Sequence, residues 1–210
     1  MANVEFIRKA SGTPCRLAVL AGTFNPPTRA HVALLEAARP LVDEVLCVIP
    51  RVFPHKEYHG ATLEQRLRML ELSTSASVAV ADRGLFIDIA RDCRREYGPG
   101  VDIAFVCGSD AARRIVEWDY GEVGAIERML AEFRLLVAAR QGEYRAPERL
   151  AHRIEAIEFG MEWNDVSATE IRERIRRGLP FDHLTPVAIV DMAAEIYGKE
   201  ARPGGIDQAG

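Results

Sequence analysis

The amino-acid sequence predicts an α/β protein: a Rossmann-like doubly wound parallel sheet with a C-terminal helical portion. Three observations predict it. Continuous apolar runs of strand length recur at 17–21, 44–49, 101–107 and 134–139, the pattern of strands buried on both faces. Helix-forming segments separate them, as where Leu63, Leu67 and Leu70 recur at helical spacing. Gly22, Pro50, Gly108 and Arg140 each follow one of these runs, so their loops fall on one rim of a parallel sheet, where such folds bind ligands.

Taken in order, residues 1–15 read as a short irregular lead-in, 16–197 as a single domain and 198–210 as a flexible tail rich in glycine. The first strand is expected at 16–21. A helix over 28–39 follows, closed by Pro40. The second strand covers 44–49, a loop spans 50–60, and a helix runs from 62 to 73. A short strand at 77–81 precedes a helix marked by Leu85, Phe86, Ile89, Ala90 and Cys93 that ends near Tyr97. After the strand at 101–107, helical segments run to 132 with a break near Tyr120 and Gly121. Strands follow at 134–139 and 154–159. Ser167 and Glu170 form a capping-box pattern opening a helix that stops at Gly178, and Pro186 opens a last amphipathic helix to Tyr197.

Composition sets the class. With 210 residues, 48% apolar content and 28% charged residues, the chain can bury one good core. The net charge of −4 argues against nucleic acid or an anionic membrane as a partner of the whole chain. No apolar run approaches membrane-spanning length, so cytoplasm is the expectation. Cys15, Cys47, Cys93 and Cys107 show no C-x-x-C pairing, and Cys47 and Cys107 lie in apolar strands as small buried side chains.

The chemistry gathers in two segments. The first, Gly22-Thr23-Phe24-Asn25-Pro26-Pro27-Thr28-Arg29-Ala30-His31, leaves a buried strand and enters a helix. A strand turning through glycine into a helix start presents free N–H groups and the positive end of the helix dipole, a ready anion site. Thr28 and His31 lie three apart and share a face of the first turn. The second segment, Ser167-Ala168-Thr169-Glu170-Ile171-Arg172, sets hydroxyls at a helix start with a guanidinium one turn on, a combination suited to polyphosphate. Other readings stay open for single residues. Arg172 fits a phosphate ligand or a solvated helix face, and Lys56 a phosphate contact or an exposed loop. Asp110 fits a ribose ligand or a helix N-cap. Trp118 fits a stacking surface for a heterocycle or a half-buried core residue.

Together the two segments resemble the signature pair of the nucleotidylyltransferases, G-x-F-x-P-x-[H/T]-x-x-H and S-x-T-x-x-R. Further segments in order resemble nicotinate or nicotinamide mononucleotide adenylyltransferases: Pro54-His55-Lys56, Arg66-Leu67-Arg68-Met69-Leu70, Gly108-Ser109-Asp110 with Trp118, and Val137-Ala138-Ala139-Arg140-Gln141-Gly142. The resemblance implies attack of a mononucleotide 5′-phosphate on the α-phosphorus of ATP, releasing pyrophosphate and forming a dinucleotide. His31, Thr28 and Arg172 would serve the reacting phosphates. Gly22, Thr23, Phe24, Gly108, Asp110, Ser167 and Thr169 would bind ATP. Asn25, Lys56, Trp118 and Arg140 would bind the mononucleotide. Mg²⁺ would be held mainly by ATP phosphate and water oxygens, with no protein metal cage. The partners implied are small molecules, with a homo-oligomer left open.

Three positions depart from the family pattern. Thr28 stands where the bacterial acid-specific enzymes usually carry a first histidine, and Ala30 replaces a usual glycine. Ile87, in Leu85-Phe86-Ile87-Asp88-Ile89, stands where a threonine usually helps receive the pyridine ring, which leaves the choice between acid and amide open. The competing readings are another phosphate acceptor, such as phosphopantetheine, and a nucleotide-binding regulatory module without catalysis. An arginine-rich nucleic-acid helix at 172–177 fits poorly, because no aromatic residues interleave with the arginines.

Overall fold

A computed structural model describes residues 4–52, 60–138, 144–163 and 165–199. Its seven strands are β1 (Val4–Arg8), β2 (Arg16–Ala21), β3 (Glu44–Val52), β4 (Ser77–Arg83), β5 (Asp102–Gly108), β6 (Arg134–Ala138) and β7 (Ile154–Ile157). Its α-helices are α1 (Arg29–Ala38), α2 (Leu63–Ser73), α3 (Phe86–Tyr97), α4 (Ser109–Glu117), α5 (Ala125–Glu132), α6 (Ala168–Arg176) and α7 (Val190–Gly198). One sheet holds all seven strands in the order β1-β4-β3-β2-β5-β6-β7, parallel throughout except for β1. This is the Rossmann-like arrangement expected.

Alternation along the strands sorts the core into two layers. On one face Leu17, Val19, Leu46, Val48, Ile103 and Phe105 pack with Ile89 and Cys93 of α3, Ala112 of α4 and Leu130 of α5. On the other, Ala18, Leu20, Cys47, Ile49, Ala104 and Val106 pack with Leu34 and Leu35 of α1 and Leu70 of α2. The C-terminal helical portion forms a third cluster, in which Ile189, Ala193 and Tyr197 pack with Met69 of α2.

Three expectations are corrected. The segment read as an irregular lead-in contains β1, which pairs antiparallel with β4 at the sheet edge. Its Arg8 donates through the guanidinium to the carbonyls of Glu71, Thr74 and Ala76, at and just past the carboxyl end of α2. The loop expected from Pro50 begins later, because β3 continues to Val52. Pairing of β2 with β3 ends at Ala21–Val48, so Pro50 falls past the end of that ladder, where its missing N–H removes no bond to β2. Pro40 does not end its helix abruptly, since a short 3-10 turn carries Arg39–Leu41 past Ala38.

The cysteines behave as the strand pattern suggested. Burial pushes the thiols of Cys47, Cys93 and Cys107 up to about 12, while Cys15 is exposed. Thiolate is the reactive form. Titration with a chromogenic disulfide reagent at pH 8 should therefore find one thiol in the native protein and all four after unfolding. Reaction of a second thiol in native protein would mean that these strands open.

Candidate active site

Strand order reverses between β2 and β5, and the loops leaving the carboxyl ends of these two strands carry the first segment and Gly108-Ser109-Asp110. The N–H of Gly22 donates to the carbonyl of Val48 (3.0 Å), which ties the first loop to β3. Phe24 is fully buried with φ 45°, in the left-handed region that a bulky side chain rarely occupies. The Asn25–Pro26 peptide that follows is cis.

Thr28 caps α1. Its Oγ1 accepts from the N–H of His31 (3.1 Å), and the Thr28 N–H donates in return to His31 Nδ1 (3.0 Å). A capping box normally uses Glu or Gln at this third position, as Thr62 and Gln65 do in α2. Here an imidazole fills the role, with a chemical consequence. Nδ1 accepts from a backbone N–H, so in the neutral ring the proton sits on Nε2. The ring thus presents an Nε2–H donor on its outer side. Phe24 packs against it, ring centroids 4.9 Å apart and planes inclined at 54°.

The second segment opens α6. Ser167 Oγ accepts from the N–H of Glu170 (3.1 Å), while the Glu170 carboxylate pairs with Arg174 (2.6 Å). The capping box expected there closes on one side only, because Arg174 competes for the glutamate. Arg172 Nη1 donates to the carbonyl of Asn25 (2.6 Å), and Nη2 donates to Thr169 Oγ1 (3.2 Å). Two segments 147 residues apart are thereby joined by a direct charged hydrogen bond. Ser167 and Thr169 are exposed beside it. The alternative of Arg172 as a purely solvated helix residue does not hold.

Gly108 caps α4 without a side-chain acceptor, and Asp110 lies exposed in that helix's first turn. Asp110 is therefore not the N-cap. Trp118, at the other end of α4, is 63% exposed, not the half-buried core residue that was its alternative. It walls a cavity of about 510 Å³ together with Gly84, Leu85, Phe86, Ile87, Ile115, Tyr120 and Met129. Ile87 and Trp118 thus share one largely apolar cavity. Phe86 stacks on Phe105 (4.1 Å, 6°), and Phe105 meets Phe133 edge-on (4.9 Å), so this wall is anchored in the core. The start of α3 opens here with Leu85 as N-cap and no side-chain cap. Its first two residues, Phe86 and Ile87, are among those that line the cavity.

Lys56 and Arg140, with the rest of Pro54-His55-Lys56, lie outside the described residues. Asn25 is buried, and its Oδ1 accepts from the hydroxyl of Tyr197 (2.7 Å), so this side chain faces α7. Three residues to which the sequence reading gave no site role also grip the loop. Arg66, 3% exposed, donates through Nη1 to the carbonyl of Thr23 (3.1 Å), and Thr185 donates to that of Pro27 (2.9 Å). Tyr197 is the third. A signal for Arg66 existed, since it falls on the same helical face as Leu63, Leu67 and Leu70. Nothing local marks Thr185 or Tyr197. Among the described residues, no group of three or more His, Cys, Asp or Glu could hold a metal ion, and no helix is long and apolar enough to cross a membrane.

Residues 19–174 match the cytidylyltransferase-like family model. A relative from Moorella thermoacetica, named a probable nicotinate-nucleotide adenylyltransferase, is 30% identical over 84% of this chain and 88% of its own length. One of the same name from Geobacter sulfurreducens is 31% identical over 81% of this chain and 92% of its own. Among solved structures, Plasmodium falciparum nicotinic acid mononucleotide adenylyltransferase complexed with NaAD aligns with a TM-score of 0.64. That alignment covers 86% of this chain and 98% of the other at 19% identity, a likeness of fold.

Proposed function

Because the chain belongs to the cytidylyltransferase-like family, among the nicotinate-nucleotide adenylyltransferases, we propose a reaction course for it as an enzyme that transfers AMP from ATP to the 5′-phosphate of nicotinate mononucleotide. The observation that carries the reading is the hydrogen bond from Arg172 to the carbonyl of Asn25, which brings both phosphate-binding segments to one place. An oxygen of the acceptor phosphate attacks the α-phosphorus of ATP and forms a new P–O bond. The bond to the bridging oxygen between the α- and β-phosphates breaks, and its electrons leave with pyrophosphate. No protein nucleophile is needed, so catalysis is positioning and charge stabilisation.

In this course His31 donates Nε2–H to a non-bridging oxygen of the α-phosphate, where charge develops. Thr28 sets the tautomer from the other side of the ring. Gly22, Thr23 and Phe24 supply the loop backbone along the triphosphate. Arg172, Ser167 and Thr169 hold the β- and γ-phosphates, and Asp110 takes the adenosine ribose beside Gly108. Magnesium enters as part of the MgATP substrate, with phosphate and water oxygens as its ligands. Lys56 and Arg140 are assigned to the mononucleotide phosphate by motif position, with Asn25 lining that side through its backbone. Four unpaired cysteines fit a reducing compartment, and a cytoplasmic setting is part of the same proposal.

The cavity between Trp118 and Ile87 receives the pyridine ring. Ile87 cannot donate from its side chain, but the uncapped start of α3 supplies backbone N–H groups and a positive dipole end. A ring carboxylate gains from both, whereas a neutral carboxamide gains little. Nicotinate mononucleotide is therefore expected to exceed nicotinamide mononucleotide in kcat/KM by roughly tenfold, the scale of one favourable helix-dipole contact. Turnover of the two acceptors side by side checks this. Equal rates, or preference for the amide, would place the ring elsewhere.

A further inference from the structure

The first loop is held by donors from three helical regions. The carbonyls of Thr23, Asn25 and Pro27 accept from Arg66 of α2, Arg172 of α6 and Thr185 ahead of α7. Tyr197, near the end of α7, adds a buried bond from its hydroxyl to Asn25 Oδ1 (2.7 Å) across 172 residues of chain. Between these anchors sits Phe24, held at φ 45° with its ring against His31. In a trans peptide the C=O and the following N–H point opposite ways. Drawing the Thr23 carbonyl toward α2 therefore turns the Phe24 N–H away from α2.

We propose that Tyr197 is a positioning residue for adenylyl transfer, acting through Asn25 to hold the loop that sets Phe24 and His31. Packing alone does not call for its hydroxyl. The Tyr197 ring fills a cluster with Met69, Ile189 and Ala193, where phenylalanine would fill the same space. A hydroxyl placed there has to be satisfied, and one of its bonds is spent on the loop. Asn25 directly follows the left-handed Phe24, so its side chain anchors the backbone where it departs from an ordinary turn. Losing that anchor lets Phe24 relax toward negative φ, and its ring then no longer fixes the face of the imidazole.

The inference rests on the adenylyl-transfer reading, and its test separates the two. Tyr197→Phe is measured alone, with Asn25→Ala, and in the double variant. The expected result for Tyr197→Phe is a kcat lower by about tenfold or more, the scale of a small misplacement. The KM for the mononucleotide should stay within about twofold and the melting temperature within a few degrees. In the Asn25→Ala background the same change should add almost nothing, because both variants break one bond. A kcat for Tyr197→Phe within twofold of wild type, or losses that multiply in the double variant, would overturn the proposal.

A second arm needs no acceptor and no Asn25 variant. Binding of a non-hydrolysable ATP analogue to Tyr197→Phe, measured by calorimetry, should weaken by roughly five- to tenfold, because the loop proposed to line the triphosphate is no longer held in place. Unchanged binding would overturn the proposal as well. If wild-type protein binds the analogue but turns over no pyridine mononucleotide, the acceptor reading fails while this arm still decides the role of Tyr197.

Discussion

Replacing His31 with alanine should lower kcat for adenylyl transfer by about 10²–10³, the scale for one preorganised donor aimed at developing charge. The cap geometry lets this effect be separated from folding. His31→Ala also deletes the imidazole that accepts from the Thr28 N–H, at a stability cost of about 0.3–1.5 kcal/mol. His31→Gln restores the cap in the form α2 already uses, where Gln65 answers Thr62. It does not restore an imidazole Nε2–H at that place. The expected pattern is a wild-type melting temperature in His31→Gln with kcat still at least about tenfold below wild type. A loss under threefold in His31→Ala would remove the residue from the mechanism.

Arg172→Ala carries the second large effect. The guanidinium makes one charge-assisted bond to the loop carbonyl and one to Thr169, while its remaining donors serve the phosphates in the proposed course. Losing charged hydrogen bonds to ATP should raise its KM by roughly 10–100-fold. Arg172→Lys should recover little, since an ammonium cannot span the Asn25 carbonyl, Thr169 and a phosphate as a planar fork does. The measurement is initial velocity against ATP concentration at saturating mononucleotide. Unchanged ATP kinetics in Arg172→Ala would reduce the bond to Asn25 to a structural tie.

Much of this was legible in the sequence because the signals are local. An apolar run such as Val45–Ile49 reads as a strand wherever it sits, and a glycine-to-helix transition after β2 reads as an anion site from its own residues. What escaped is non-local or chemically atypical. β1 carries an outward-facing Ile7, exposed at 41%, and is defined by pairing with residues of β4 seventy or more positions away. His31 completes a capping box in a position where Glu or Gln would have been recognised. The bond between Tyr197 and Asn25 joins the two ends of the chain and leaves no periodic trace. Ile87 shows the converse. The sequence presented it as a lost side-chain donor, and the fold puts it in the first turn of a helix without a side-chain cap, lining the same cavity as Trp118.

Direct adenylyl transfer between two bound nucleotides sets the stoichiometry of the reaction. The most direct measurement mixes the protein with ATP, magnesium and nicotinate mononucleotide and follows pyrophosphate and dinucleotide together. The expected result is equal amounts of both, formed only when both nucleotides are present. Pyrophosphate appearing without the mononucleotide, or neither product appearing while ATP binds, would contradict it.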